Sequence, residues 1–154
     1  MEKNYRPNVA AVIMSPFYPF EKKFFLAQRI DIKDAWQFPQ GGIDKGETSK
    51  MALFRELKEE IGTNKVEIIA EYPKWLSYDF PEDVLKKMQP YSGQIQKYFL
   101  VRLKKNAKIK LNNDNPEFSN YHFVEFDEID KNVKSFKRKS YLKVLNYFKE
   151  KGYI

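Results

Sequence analysis

The sequence predicts an α/β (α+β) fold, a sandwich in which few helices cover a mixed sheet. Strand-like runs outnumber helical ones, and apolar residues recur at clear helical spacing in only two segments. Neither a repeat nor a low-complexity linker divides the 154 residues, so one domain over 1–154 is expected, long enough to bury a core.

Taken in order, "NVAAVIM" (8–14) and "KFFLAQR" (23–29) read as strands separated by the Pro-bounded turn "SPFYPFEK". A first helix is expected over roughly 48–61. "VEIIAEY" (66–72), "KWLSYDF" (74–80) and "QKYFLVRL" (96–103) are further strands, the last two joined by a polar stretch around Pro90 and Gly93. "YHFVEF" (121–126) is another strand. A second helix spans about 137–150, with Tyr141, Leu145 and Phe148 on one face.

Composition excludes several classes of function. Apolar residues at 42% and aromatics at 16% are too abundant for a disordered chain. Without cysteine there are no disulfides and no thiolate metal sites, and a lone His122 rules out a site built on two imidazoles. The N-terminal apolar run stops at Pro16, too short for a membrane span and without a signal peptide's cleavage pattern. A cytoplasmic protein with no membrane contact and no obligate protein partner is the expectation.

The helix at 48–61 is unusual in a chain of net charge +7. At about 100° per residue, Leu53, Phe54, Leu57 and Ile61 share one face, which should pack on the sheet. Glu56, Glu59 and Glu60 share another, displaced by roughly 120°. Like charges at these spacings weaken a helix by a few tenths of a kcal/mol per pair. No lysine at matching spacing offsets them fully, whereas a hard divalent cation would, because carboxylate oxygens are its preferred ligands.

Glycines flank this helix. Gly41 and Gly42 permit one tight turn, Gly46 another, and Gly62 stands where a helix C-cap takes left-handed geometry. Counted from Gly41, the residues Gly41, Glu47, Arg55, Glu56, Leu57, Glu59, Glu60 and Gly62 follow the spacing G-x5-E-x7-R-E-L-x-E-E-x-G. In this the sequence resembles the Nudix hydrolases, whose defining box has that pattern. One position departs: the box usually closes on an aliphatic residue, and here it closes on Thr63, which bears on packing more than on chemistry.

The resemblance implies a Nudix α/β/α sandwich with a mixed central sheet and a loop–helix–loop box. It implies cleavage of a nucleoside diphosphate linked to another group, with Mg²⁺ or Mn²⁺ (more than one ion) held by the box. Gly41, Glu56, Glu59, Glu60 and, from outside the box, Glu117 in "NPEF" are the implied metal positions. Glu56 and Glu60 are the main ligands. Glu59 is a ligand or the general base, a role the family assigns in more than one way. Arg55 and Glu47 form a supporting pair that fixes loop and helix.

Beyond the box, "YRPNV" (5–9), "WQFPQGG" (36–42), "WLSYDFP" (75–81), "GQIQKYF" (93–99), "PEF" (116–118) and "SFKR" (135–138) look like the branch that removes pyrophosphate from RNA or splits dinucleoside polyphosphates. Trp36, Phe38 and Phe99 are expected in the core. Arg6, Gln40, Gln96 and Lys97 are donor-rich and suit phosphate oxygens, and Tyr78 and Lys137 join them by resemblance. Phe136 matches an aromatic that stacks a base, and Arg29 matches the opposite wall of the same slot; such stacking suits a nucleotide or an RNA 5′ end. Residues 131–151 carry Lys131, Lys134, Lys137, Arg138, Lys139, Lys143, Lys149 and Lys151, a solvated face or a means of steering a polyanion. Asp79 stands where some RNA-cleaving members carry lysine, a charge of the wrong sign for a trailing phosphate chain. Two substrates therefore compete: 5′-triphosphorylated RNA, which the basic excess favours, and dinucleoside polyphosphates or free nucleoside triphosphates. A catalytically silent nucleotide-binding relative would have lost the box glutamates, and all three are present.

Overall fold

A computed structural model describes residues 3–154. Strands β1 (Tyr5–Met14), β2 (Phe24–Arg29), β3 (Trp36–Gln37) and β4 (Gln40–Gly42) precede helix α1 (Ser49–Ile61). Strands β5 (Val66–Glu71) and β6 (Leu76–Asp79), helix α2 (Glu82–Lys87) and strand β7 (Gly93–Leu103) follow. Strand β8 (Phe118–Val124) and helices α3 (Phe126–Asn132) and α4 (Arg138–Glu150) complete the order.

The strands form one mixed sheet along the path β3-β2-β1-β7-β5, with β4 on β1, β6 on β7 and β8 on β2. The pairing of β1 with β7 is parallel and holds over ten residues; the other pairings are antiparallel. Strand β1 lies at the centre, which is why Asn8–Met14 is buried without the alternation of a half-exposed strand. Its residues feed two cores. Ala10, Val12 and Met14 meet Tyr141, Val144, Leu145 and Phe148 of α4, while Val9, Ala11 and Ile13 meet Ala52, Leu53, Leu57 and Ile61 of α1. Helices therefore cover both faces, as expected.

Helix α1 begins where Thr48 Oγ1 accepts from Met51 N at 3.1 Å and ends at Gly62 with φ 79°. Beyond it, Thr63 is buried and its Oγ1 accepts from Lys65 N at 3.1 Å. The hydroxyl thus fixes the turn into β5, where an aliphatic side chain would act by packing alone.

Several boundaries differ from the sequence expectation. Strand β7 starts at Gly93, because pairing with Tyr5 of β1 and Asp79 of β6 recruits residues that read as linker. Strands β3 and β4 and helices α2 and α3 went unmarked: two or three residues show no period, and β4 exists because Gln40–Gly42 pair with Asn8–Ala10. Phe38 and Phe99 are core, and Trp36 is half-buried against the His122 ring at 5.1 Å. Among the described residues no helix is long and apolar enough to cross a membrane.

Candidate active site

Alternation along the central strands sorts the candidate residues onto two faces. Arg6 and Asn8 of β1 point to the side of Ala10 and α4, as do their register partners Gln94 and Gln96 and, across β6, Tyr78. Gly41 and Lys97 are register partners of Val9 and point to the α1 side. Polar slot and acidic helix therefore lie on opposite faces of the sheet, meeting at the short β4 edge.

On α1, ligand oxygens of Glu56, Glu59 and Glu60 lie within 4.8 Å of one another. Contrary to the sequence expectation, a cation does offset part of their charge. Arg55 Nη1 donates to Glu56 Oε1 at 2.8 Å and to Glu59 Oε2 at 3.3 Å. The same guanidinium clasps Glu47 through Nε and Nη2, at 2.7 and 2.8 Å, and reaches Gly42 O at 2.7 Å. Arg55 draws the Glu47 carboxyl down to about 2, with the Asp44 backbone N–H assisting. One side chain thereby ties the helix to the loop before it.

Glu60 receives no such compensation. Glu60 is half-buried, and its Oε2 is buried with no hydrogen-bond partner among the described residues. Burial raises its proton affinity well above the carboxylate norm, reinforced by the neighbouring carboxylates of Glu117, Glu56 and Glu59. Burial likewise raises the Glu56 carboxyl, against the pull of Arg55. Glu117, immediately before β8, adds its charge to that of the box carboxylates. Three clustered carboxylates with an orphaned buried oxygen form a hard-donor set that suits a divalent cation.

On the other face, the rings of Tyr78 and Phe136 are 5.0 Å apart and inclined at 55°. Phe136 is 41% exposed, which separates it from the core. Burial pushes the Tyr78 hydroxyl up to about 12, while hydrogen-bonded Gln40 and the charges of Arg29 and Arg6 pull it back. Register places Arg6, Gln40 and Tyr78 on one face of the sheet. Arg29 pairs with Phe118 of β8 and Ile30 N donates to Glu117 O at 3.0 Å, so the end of β2 lies beside Glu117. Lys137 alone of the basic C-terminal residues is buried, and its Nζ donates to Gln37 Oε1 at 2.9 Å. Burial, then the Arg29 charge, lowers its ammonium to about 8.

Two expected phosphate contacts, Gln96 and Lys97, and one expected repulsion, Asp79, look different in three dimensions. Gln96 is fully buried, and both its amide protons are committed, to Asn8 Oδ1 at 2.8 Å and Gln40 Oε1 at 3.1 Å. Tyr98 Oη donates to its carbonyl at 2.9 Å, so Gln96 braces Gln40 and has no donor left for a phosphate. Lys97 faces α1 and donates to Tyr72 O at 2.9 Å. Asp79 alternates away from Tyr78 and is paired with Lys3 and hydrogen-bonded by Tyr5 Oη at 2.6 Å, which spends the charge that seemed hostile to phosphate.

Sequence reasoning missed three participants. Asp31 clasps Arg29 at 2.8 and 2.6 Å, Asn113 Nδ2 donates to Glu59 O at 2.7 Å, and Gln37 receives Lys137. Polar loop residues carry no periodic signal, and only the "WQFPQGG" stretch around Gln37 had drawn notice.

Fold and site together are those of a class of hydrolases that works with divalent metals, and an acidic cluster stands on the helix where that class carries one. The model of the NUDIX domain matches residues 4–144, and the chain belongs to the Nudix family. It is 65% identical over 153 residues to an RNA pyrophosphohydrolase of Campylobacter jejuni subsp. doylei, covering 99% of this chain and 98% of the relative. An RNA pyrophosphohydrolase of Helicobacter pylori strain P12 is 54% identical, over 100% and 99% of the two chains. Among solved structures, the Escherichia coli dihydroneopterin triphosphate pyrophosphohydrolase superposes with a TM-score of 0.73 at 21% identity, over 94% of this chain and 99% of that one.

Proposed function

We propose that the protein is a metal-dependent pyrophosphohydrolase acting on the 5′-triphosphate end of RNA. Water adds across a phosphoanhydride bond; pyrophosphate leaves and the RNA keeps a 5′-monophosphate. The observation that carries the RNA reading is the 65% identity, across nearly the whole of both chains, to a protein named for that activity. Splitting of dinucleoside polyphosphates, or of free nucleoside triphosphates, is the second reading, favoured by an aromatic pair at Tyr78 and Phe136 that suits any base.

Mg²⁺ or Mn²⁺, held by Glu56, Glu59, Glu60 and Glu117 with the Gly41 backbone alongside, is the cofactor we assign. When bound, such an ion would supply charge neutralisation at the anhydride and a lowered water pKa. The chain supplies the rest. Arg55 holds Glu56 and Glu47 in place, so the carboxylates need not reorganise during reaction. Arg6 and Gln40 offer donors to phosphate oxygens, with Gln96 keeping Gln40 oriented. Lys137 adds a buried cation beside Gln37, and the terminal base packs against Phe136 with Arg29 opposite. Lys97 is assigned to the α1-side approach to the phosphates. The exposed lysines of α4 raise the local concentration of a polyanion.

The test compares kcat/KM on 5′-triphosphorylated RNA, diadenosine tetraphosphate and GTP, with product identity scored. Pyrophosphate release with RNA preferred supports the reading; preference for diadenosine tetraphosphate or GTP with little RNA turnover selects the second.

A further inference from the structure

We infer that Asp31 is a positioning residue that makes Arg29 a flat platform for the terminal base instead of a clamp for phosphate. This rests on the base slot proposed above. The carboxylate takes Nε and Nη2 of Arg29 at 2.8 and 2.6 Å, the paired geometry that fixes a guanidinium plane. That edge is the one an arginine would otherwise turn to two phosphate oxygens. With it occupied, the interaction left to the guanidinium is stacking through its plane.

The backbone around the pair is built to hold it. The β2–β8 register shifts between Gln28 and Arg29, a bulge of the kind that re-aims a side chain. Arg29 N donates to Ala35 O at 2.9 Å and Ile30 N to Glu117 O at 3.0 Å, tying the loop to itself and to the residue just ahead of β8. Asp34 closes the loop with φ 57°, in the left-handed region. Arg29 itself is largely covered, whereas Asp31 is 61% exposed. Ion pairs between such partners contribute little to stability. The clasp therefore has little to do for the fold and much to do for the direction of one guanidinium. A carboxylate near the triphosphate would otherwise repel the substrate; here its charge is spent on Arg29.

The experiment uses the full chain with two substrates: a short 5′-triphosphorylated RNA, and the same RNA whose first nucleotide lacks its base. Asp31→Ala should raise KM on the intact RNA about fivefold or more with a smaller change in kcat, because stacking is lost and the reacting atoms are not touched. The ratio of kcat/KM on intact to abasic RNA should fall by a similar factor, and Asp31→Glu should restore most of it. Arg29→Ala, run alongside, must lower the same ratio. If it does and Asp31→Ala leaves the ratio at the wild-type value, the positioning role is overturned and the slot stands. If neither variant moves the ratio, the slot is lost and the inference with it. A melting temperature near wild type for Asp31→Ala confirms that the fold is intact.

Discussion

Gly41 and Glu56 are in such close contact that a Cβ added to the glycine would lie 1.9 Å from the Glu56 Cδ and 2.0 Å from Oε2. The space a side chain would fill at Gly41 is therefore filled by a carboxylate from another element. Gly41→Ala should swing Glu56 aside at modest cost in stability, since the clash is with the end of a flexible side chain. Activity should fall about a hundredfold, the scale of a 1 Å misplacement in a catalytic site. Melting temperature and kcat/KM on one preparation check this; an active Gly41→Ala enzyme would remove Glu56 from the proposed set.

Arg55 should not tolerate lysine. An ammonium cannot clasp Glu47 bidentately while also reaching Glu56 and Gly42 O. Arg55→Lys is expected to weaken divalent-ion affinity by about 10- to 100-fold, the usual effect of losing a ligand's support. Titration of Mn²⁺ followed by calorimetry measures it, and unchanged affinity would count against Arg55 as the brace.

Metal and pH should be linked through Glu60. Its folded-state proton affinity is raised, to about 9 against an ordinary 4.5, first by burial and then by Glu117. Within that window the native protein keeps a proton that the unfolded chain has released, so stability falls as pH rises. Glu47 acts in the opposite sense: Arg55 holds it down to about 2, so its contribution is present above 4.5 and lost as pH falls through that value toward 2. Lys137, lowered to about 8, brings a rising term above that pH, so the comparison belongs between about pH 5 and 8. In EDTA the melting temperature should decline across this range. A saturating divalent ion should remove the slope and stabilise the fold, by about 2.7 kcal/mol at a hundredfold excess over Kd. A flat profile in EDTA, or indifference to metal, contradicts the linkage.

Phe136→Ala should separate binding from folding. The ring is 41% exposed and touches Tyr78 rather than the core, so thermal stability should hardly change. Loss of base stacking should lower kcat/KM by roughly five- to a hundredfold on RNA and dinucleotides alike. A destabilised variant with full specific activity would make Phe136 an anchor of α4 instead.

The box was legible in sequence because it couples a helical period to fixed glycines: Glu56, Glu59 and Glu60 had to share a face, and Gly62 had to end the helix. The two-sided sandwich was legible too, in the apolar run of β1 and the Tyr141–Leu145–Phe148 stripe. What stayed hidden depends on pairing. Gln96 and Lys97 are neighbours in the chain with similar donors, yet strand alternation sends one into a buried brace for Gln40 and the other to the α1 side. Asp79 looked hostile to phosphate until Lys3 and Tyr5, more than seventy residues earlier, proved to hold it. The orphaned Glu60 oxygen was invisible for the same reason, since burial at that position depends on a loop that returns at Glu117.

The most direct test of the account is pyrophosphate release from 5′-triphosphorylated RNA by the wild type and by Glu60→Gln, each with Mg²⁺ and with excess EDTA. The account predicts release by the wild type with Mg²⁺ alone, and turnover lower by orders of magnitude in a folded Glu60→Gln protein. Full activity in that variant, or wild-type activity that survives EDTA, would contradict it.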